Sequence, residues 1–261
     1  RAGGGNGGGG FGHGGNPSRD KRHRSMSRYR SALQASCVLG VAAALSGCAG
    51  PLSTLTPGGP AGASIATMWW VMLGGATVLF LLVMGLFWLV MRRPAWAARV
   101  SPGRWIVWGG LVLPSVVLAP LIAYALVTGE RLLPFASSAP QQLEAEARQW
   151  NWTFRYPAHG GVATHDVLLL PVGVPVDMVV SSKDVVHAFW VPQLAGKVDA
   201  VPGRINRLRI QADKPGRYDA LCNEFCGTGH TAMRFTVVAY QPEDFAAALA
   251  QEVASHEAEK K

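Results

Sequence analysis

Cys222, Cys226, His230 and Met233 fall within one run, LCNEFCGTGHTAM, and His187 stands 35 residues ahead of Cys222 in KDVVHAFW. Thiolate and thioether sulfur select copper or a comparably soft ion, imidazole suits copper equally, and a weak Met ligand has little use at a structural zinc. The set points to copper that transfers electrons. A mononuclear blue-copper centre takes two His, one Cys and a weak axial Met, which leaves one cysteine over. Two thiolates can instead bridge two copper ions, each taking both sulfurs and one imidazole. Met233 is then a weak axial ligand on one ion and a loop carbonyl serves the other. Sharing one electron between two metals lessens the geometric change on oxidation or reduction, and a rigid β scaffold lessens it further. Two plainer readings stand beside this one: a Cys222–Cys226 disulfide in an oxidising compartment, and structural zinc on Cys2His2. His159, His165 and His256 have no partners at ligand spacing and receive no role.

Such ligands need a frame, and residues 129–261 offer one. After a linker with Leu133, Pro134 and Pro140, QWNWTFRYP alternates aromatic with polar residues, and DVLLLPVGVPVDMVVSS and RINRLRIQA supply further strand-like runs punctuated by Pro and Gly. This pattern predicts a small all-β Greek-key sandwich. The ligand loop lies between two late strands, and His187 stands at the end of an adjacent one. From Pro242 the chain reads as a helix, with Pro first, Glu243 and Asp244 in the first turn, and Phe245, Leu249 and Val253 at four-residue spacing. It is expected to dock on its own domain.

The remainder of the chain belongs to a membrane. Ile65–Met91 is 27 residues without a charge and Ile106–Val127 is 22 more. Both exceed the roughly 20 residues that cross a bilayer, which predicts a transmembrane hairpin over 65–128 with helices at 65–91 and 106–127. Arg92, Arg93, Arg99 and Arg104 lie between them with no acid, so that loop is expected in the cytoplasm and both termini outside. Trp69 and Trp70 at the outer end, and Trp96, Trp105 and Trp108 at the inner end, fit aromatic belts. Pro114 and Pro120 are expected to bend the second helix, which suggests packing against a larger membrane subunit. The net charge of +8 is unevenly placed: residues 1–128 hold 11 Lys and Arg against Asp20 alone, and residues 129–261 hold 13 against 15 acids. The basic residues sit where a membrane protein uses them, so no nucleic-acid partner is expected.

Residues 1–47 read as a Gly-rich, then basic, disordered leader, followed from Met26 by a lipoprotein-type signal. That signal comprises Arg28 and Arg30, the apolar CVLGVAAAL, then Leu45, Ser46, Gly47 and Cys48. The last four have the pattern of a bacterial lipobox, which makes Cys48 a lipidated start and 48–64 a periplasmic segment. The alternative is an uncleaved hydrophobic anchor, for which nine apolar residues are few.

The run from His187 through VPQLAGKVDAVPGR to CNEFCGTGHTAM, with the QWNW element and the two hydrophobic segments, resembles subunit II of the haem-copper cytochrome c oxidases from about Leu45 to about Phe245. The resemblance implies a cupredoxin-like domain with a dinuclear copper centre, CuA. It places His187 and Met233 on one copper, His230 and the carbonyl of Glu224 on the other, and Cys222 and Cys226 as bridges. It also implies that the Glu224 side chain reaches a magnesium ion shared with subunit I, and that Trp150 passes electrons in from a soluble or membrane-anchored cytochrome c. From composition alone, Trp150 and Trp152 are core aromatics. Asp184 is either a carboxylate supporting His187 or the donor, or a turn residue. Subunit I and subunit III are the implied partners in a bacterial inner membrane, and oxygen chemistry lies on subunit I, so no catalytic residue is expected on this chain.

Two departures limit the likeness. Arg155 stands where mitochondrial-type members carry a Glu, so strong electrostatic capture of a basic donor is not expected. SPGRWIVWGG lacks the acid that many members place at the start of the second helix, so proton uptake through this subunit is not implied. No C-x-x-C-H occurs, so no haem is expected on the chain. Two other functions fit the residues less well. A membrane-anchored copper chaperone or thiol–disulfide assembly factor explains His230 and Met233 poorly. A quinol oxidase subunit II belongs to a branch that has lost the copper ligands.

Overall fold

The computed structural model describes residues 34, 36, 39, 40, 48–132 and 141–259, without the side chains of 96, 97, 130–132 and 259. The leader and signal expected within 1–47, apart from those four positions, and the linker residues Leu133, Pro134 and Pro140 lie outside the described residues. The chain divides into two units, Arg1–Cys48 and Ala49–Lys261, and the second carries both long helices and every described strand.

The first charge-free run lies in α1 (Pro60–Arg92), 33 residues long. At 1.5 Å per residue this helix extends about 50 Å, against about 30 Å of hydrocarbon. Part of the surplus lies at its start. Pro60, whose fixed φ and missing N–H suit the first helical position, opens the helix beside the β-domain. There Ala61 packs on the core and Gly62 and Ala66 are buried. Short α2 (Pro94–Ala97) and α3 (Pro102–Trp105) lead into a π-helical segment, Ile106–Val112, and then α4 (Leu113–Leu132). Pro114 has no N–H for the carbonyl four residues back, and the turns before it open to the wider spacing. Pro120 lies inside α4. Pro60–Arg92 and Pro102–Gly129 are each long and apolar enough to cross a membrane. Their apolar residues face outward, as in a lipid-exposed or partner-exposed hairpin.

Among the described residues ten strands follow: β1 (Gln142–Arg148), β2 (Asn151–Tyr156), β3 (Val162–His165), β4 (Val167–Pro171), β5 (Val176–Ser182), β6 (His187–Trp190), β7 (Val198–Ala200), β8 (Asn206–Ile210), β9 (Gly216–Cys222) and β10 (Arg234–Tyr240). They form two five-stranded sheets, ordered β3-β2-β1-β5-β8 and β4-β10-β9-β6-β7. The expected sandwich is present, though its sheets are mixed: β1 pairs with β5, and β10 with β4, in parallel. Alternation sets the core. Leu143, Ala145 and Ala147 of β1 and Trp152, Phe154 and Tyr156 of β2 are fully buried, because successive strand residues face opposite sides. Between the sheets Trp152 and Phe154 of one meet Phe189 and Phe235 of the other at ring separations of 5.3–6.4 Å.

The tail helix α5 (Pro242–Glu259) docks as expected. Phe245 and Leu249 are buried and Val253 is partly buried against the core, each full burial stabilising by about 2–3 kcal/mol. His159 packs edge-on to Phe245, and the rings of His165 and His256 meet at 5.6 Å across β3 and α5. None of these three histidines joins the ligand cluster.

Candidate metal centre

Three strands bring the ligands together. Cys222 ends β9 and Met233 immediately precedes β10, so the antiparallel β9–β10 pair closes the base of the ligand loop, with the Cys222 N–H donating to the Met233 carbonyl at 3.0 Å. His187 opens β6, which pairs with β9 through Phe189 opposite Cys222. The short 3-10 turn His230–Ala232 swings His230 back over the loop. His187, Cys222, Cys226 and Met233 are all at least 97% buried, whereas His230 is half-buried.

The donor atoms form two overlapping groups. His187 Nδ1 lies 3.2 Å from Met233 Sδ and 3.8 Å from Cys222 Sγ, and Cys226 Sγ lies 3.8 Å from Met233 Sδ. On the other side, His230 Nδ1 is 3.6 Å from Cys226 Sγ and the Glu224 carbonyl is 3.3 Å from Cys222 Sγ. The two sulfurs stand 3.8 Å apart. A disulfide would hold them at about 2.05 Å. Two thiolates bound at about 2.3 Å to a shared tetrahedral metal stand about 3.8 Å apart, so the cysteines fit a common ion. The ligand atoms of His187, Cys222 and Cys226 lie within 4.8 Å of one another, and His230 joins them through Cys226. Burial pushes the Cys226 thiol up to about 12, with the Cys222 charge and hydrogen bond adding to the effect. A soft cation is what would draw the proton off Cys226. Sulfur, imidazole, thioether and carbonyl together fit copper better than zinc.

A second layer fixes the first. His187 Nε2 contacts Asp184 Oδ1 at 2.9 Å, which directs Nδ1 at the sulfurs. Asp184 also accepts from the backbone N–H of Gln149 and of Val185, both at 2.7 Å. Burial pushes this carboxyl up, but the Gln149 N–H, the His187 ring and the Val185 N–H outweigh it and hold the group at about 2. Asp184 therefore serves both as turn residue and as the partner of His187.

Trp150 breaks the alternation that buries Trp152, because it sits in the β1–β2 turn, 41% exposed. Its Nε1 donates to the Cys226 carbonyl at 3.1 Å, beside a 2.8 Å bond from Gln149 Nε2. Its ring lies over Gly229, where an added Cβ would run into the indole, and beside Gly227 at φ +111°. Gln149, Gly227 and Gly229 escaped the sequence reading, since their roles depend on contacts with residues far away in the chain. Arg155 lies at the other end of the hairpin, opposite Glu144, and not beside Trp150. The Glu224 carboxylate meets Lys197 Nζ at 3.0 Å, and Lys197 also meets Asp199 at 2.8 Å. Cys48 is exposed.

Comparison with known proteins gives this arrangement a setting. Residues 161–240 match the family described as "Cytochrome C oxidase subunit II, periplasmic domain". Cytochrome c oxidase subunit 2 of Alkalihalophilus pseudofirmus is 33% identical over 140 residues, covering 51% of this chain and 40% of that protein. The alternative cytochrome c oxidase subunit 2 of Bradyrhizobium diazoefficiens is 30% identical over 185 residues, covering 60% of this chain and 66% of the relative. The chain thus spans less than half of the first relative's length and just under two thirds of the second's. Among solved structures, the periplasmic domain of subunit II of cytochrome oxidase from Bradyrhizobium japonicum is 26% identical with a TM-score of 0.44, covering 46% of this chain and 99% of that one.

Proposed function

We propose a function on one premise: the chain belongs to the cytochrome c oxidase subunit II family. It is the membrane-anchored subunit through which a terminal oxidase receives electrons from a cytochrome c, one at a time, and hands them to haem in subunit I. Oxygen is reduced to water there, coupled to proton pumping. The observation that carries this reading is the double ligand cluster, with two buried sulfurs shared between one imidazole–thioether group and one imidazole–carbonyl group.

Bound in that cluster, a pair of copper ions supplies one-electron storage with little structural change. His187 and Met233 would hold one ion, His230 and the Glu224 carbonyl the other, and Cys222 and Cys226 would serve both. Asp184 keeps His187 in the tautomer that offers Nδ1. The burial of four ligands excludes water from the sulfurs, while half-buried His230 and exposed Trp150 mark the side open to a donor. Trp150, hydrogen-bonded to the carbonyl of a bridging cysteine, is the entrance for electrons. The Glu224 carboxylate is the ligand this chain offers to a magnesium ion at the boundary with subunit I, where the ion would share it with Lys197. Subunit III completes the membrane assembly.

The arginine loop between α1 and α3 lies in the cytoplasm of a bacterium, which sets the metal domain of 129–261 and the 48–64 segment on the periplasmic side of the inner membrane. Acylation of Cys48 after removal of 1–47 adds a lipid anchor to the hairpin of 65–128. A copper chaperone accounts less well for ligands this deeply buried. The test is stopped-flow reduction of the copper-loaded full chain by a ferrocytochrome c. Trp150→Phe should slow reduction while leaving the copper spectrum in place, and an unchanged rate would remove Trp150 as the entrance.

A further inference from the structure

The segment 223–226 carries a proposed ligand on its backbone, and its two ends are fixed. The Asn223 N–H donates to Ala188 O at 3.1 Å, and the Cys226 carbonyl accepts from Gln149 and Trp150. Between them Phe225 is 78% exposed, its ring 5.8 Å from that of His230. Within the segment the Glu224 carbonyl meets Cys222 Sγ at 3.3 Å, and the Glu224 side chain is bound to Lys197 at 3.0 Å.

Lys197 is not a loose surface cation. It follows the 191–196 turn, whose Gln193 and Leu194 carbonyls accept from the N–H groups of Gly58 and Gly62 at 2.8 and 3.1 Å, tying the turn to the start of α1. Asp199 of β7 holds the same ammonium from the other side. A chain of contacts therefore runs from the first turn of α1, through this turn, to Glu224 and its carbonyl beside Cys222.

We propose that Lys197 is a positioning residue for the metal centre: its ion pair with Glu224 holds the 223–226 segment so that the Glu224 carbonyl stays against the bridging sulfur. The proposal rests on the copper reading. Exposed ion pairs contribute little to global stability, so the effect belongs at the metal and not in the fold.

Electrostatics and positioning differ in sign. Acting only through space, Lys197→Met removes a positive charge and lowers the midpoint potential of a nearby metal, whereas Glu224→Gln removes a negative charge and raises it. Acting by releasing one loop, both move the potential in the same direction. The experiment is redox titration and electron paramagnetic resonance of the copper-loaded full chain in detergent, with Lys197→Met, Glu224→Gln, the double variant and Lys197→Arg. We expect Lys197→Met and Glu224→Gln to shift the potential the same way and to change the copper hyperfine pattern. Each should weaken copper binding by about tenfold, the low end for residues that support a ligand. The double variant should go no further, and Lys197→Arg should restore the wild-type signal. Opposite shifts, additive shifts or an unchanged spectrum would overturn the role of Lys197. Failure of the unsubstituted chain to show coupling to two coppers would instead remove the copper reading beneath it.

Discussion

At the scale of single residues, the centre is built from side chains whose chemistry announces itself and from others whose role depends on distant contacts. Cys222, Cys226, His230, Met233 and His187 were legible because sulfur and imidazole at loop spacing have few other uses together. Gln149 was not: its amide reaches a carbonyl 77 residues away. Gly229 gave no signal either, since its lack of a Cβ matters only once Trp150 lies over it. Asp184 was readable as a turn residue, and its contact with His187 required the fold. Replacing Asp184 with Ala should lower copper affinity by about 10–100-fold, measured by competition with a chelator, because the His187 ring loses the acceptor that orients it. Equal affinity would leave Asp184 with the turn alone. Gly229→Ala should displace the indole from the loop and cost about 1–3 kcal/mol of domain stability in thermal unfolding, with a visible change in Trp150 fluorescence.

At the scale of elements, the sandwich and the tail helix could be read from periodicity, because residues that alternate along β1 and β2, or recur every four along α5, meet one core. The start of α1 could not. TPGGPAG has the composition of a loop, yet it forms a strap and the first helical turn against the β-domain. Gly58 exchanges backbone hydrogen bonds with Gln193 and Asp213, and a Cβ on Gly59 would collide with the Gln211 carbonyl. Gly59→Ala should therefore destabilise the strap by about 1–3 kcal/mol, seen as a lower unfolding temperature of the full chain. Leu249→Ala should cost about 2–5 kcal/mol through the cavity it leaves under α5. The parallel pairings of β1 with β5 and β10 with β4 left no local mark in the sequence, since strand order is settled by which faces bury together.

At the scale of the whole molecule, a pair of helices able to cross a membrane is joined to the β-domain by the strap. The charge asymmetry between residues 1–128 and 129–261 follows from that division of labour. Arg155, set opposite Glu144 away from Trp150, bears less on the proposed donor face than its sequence position suggests. The central claim is that Cys222 and Cys226 bridge two coppers which share one electron. Electron paramagnetic resonance of the copper-loaded full chain tests it most directly. The account predicts a mixed-valence signal with hyperfine coupling to two equivalent coppers, lost in Cys226→Ser. A signal split by one copper only, or a colourless and silent Cu(I) adduct that yields its metal to an acceptor, would contradict it.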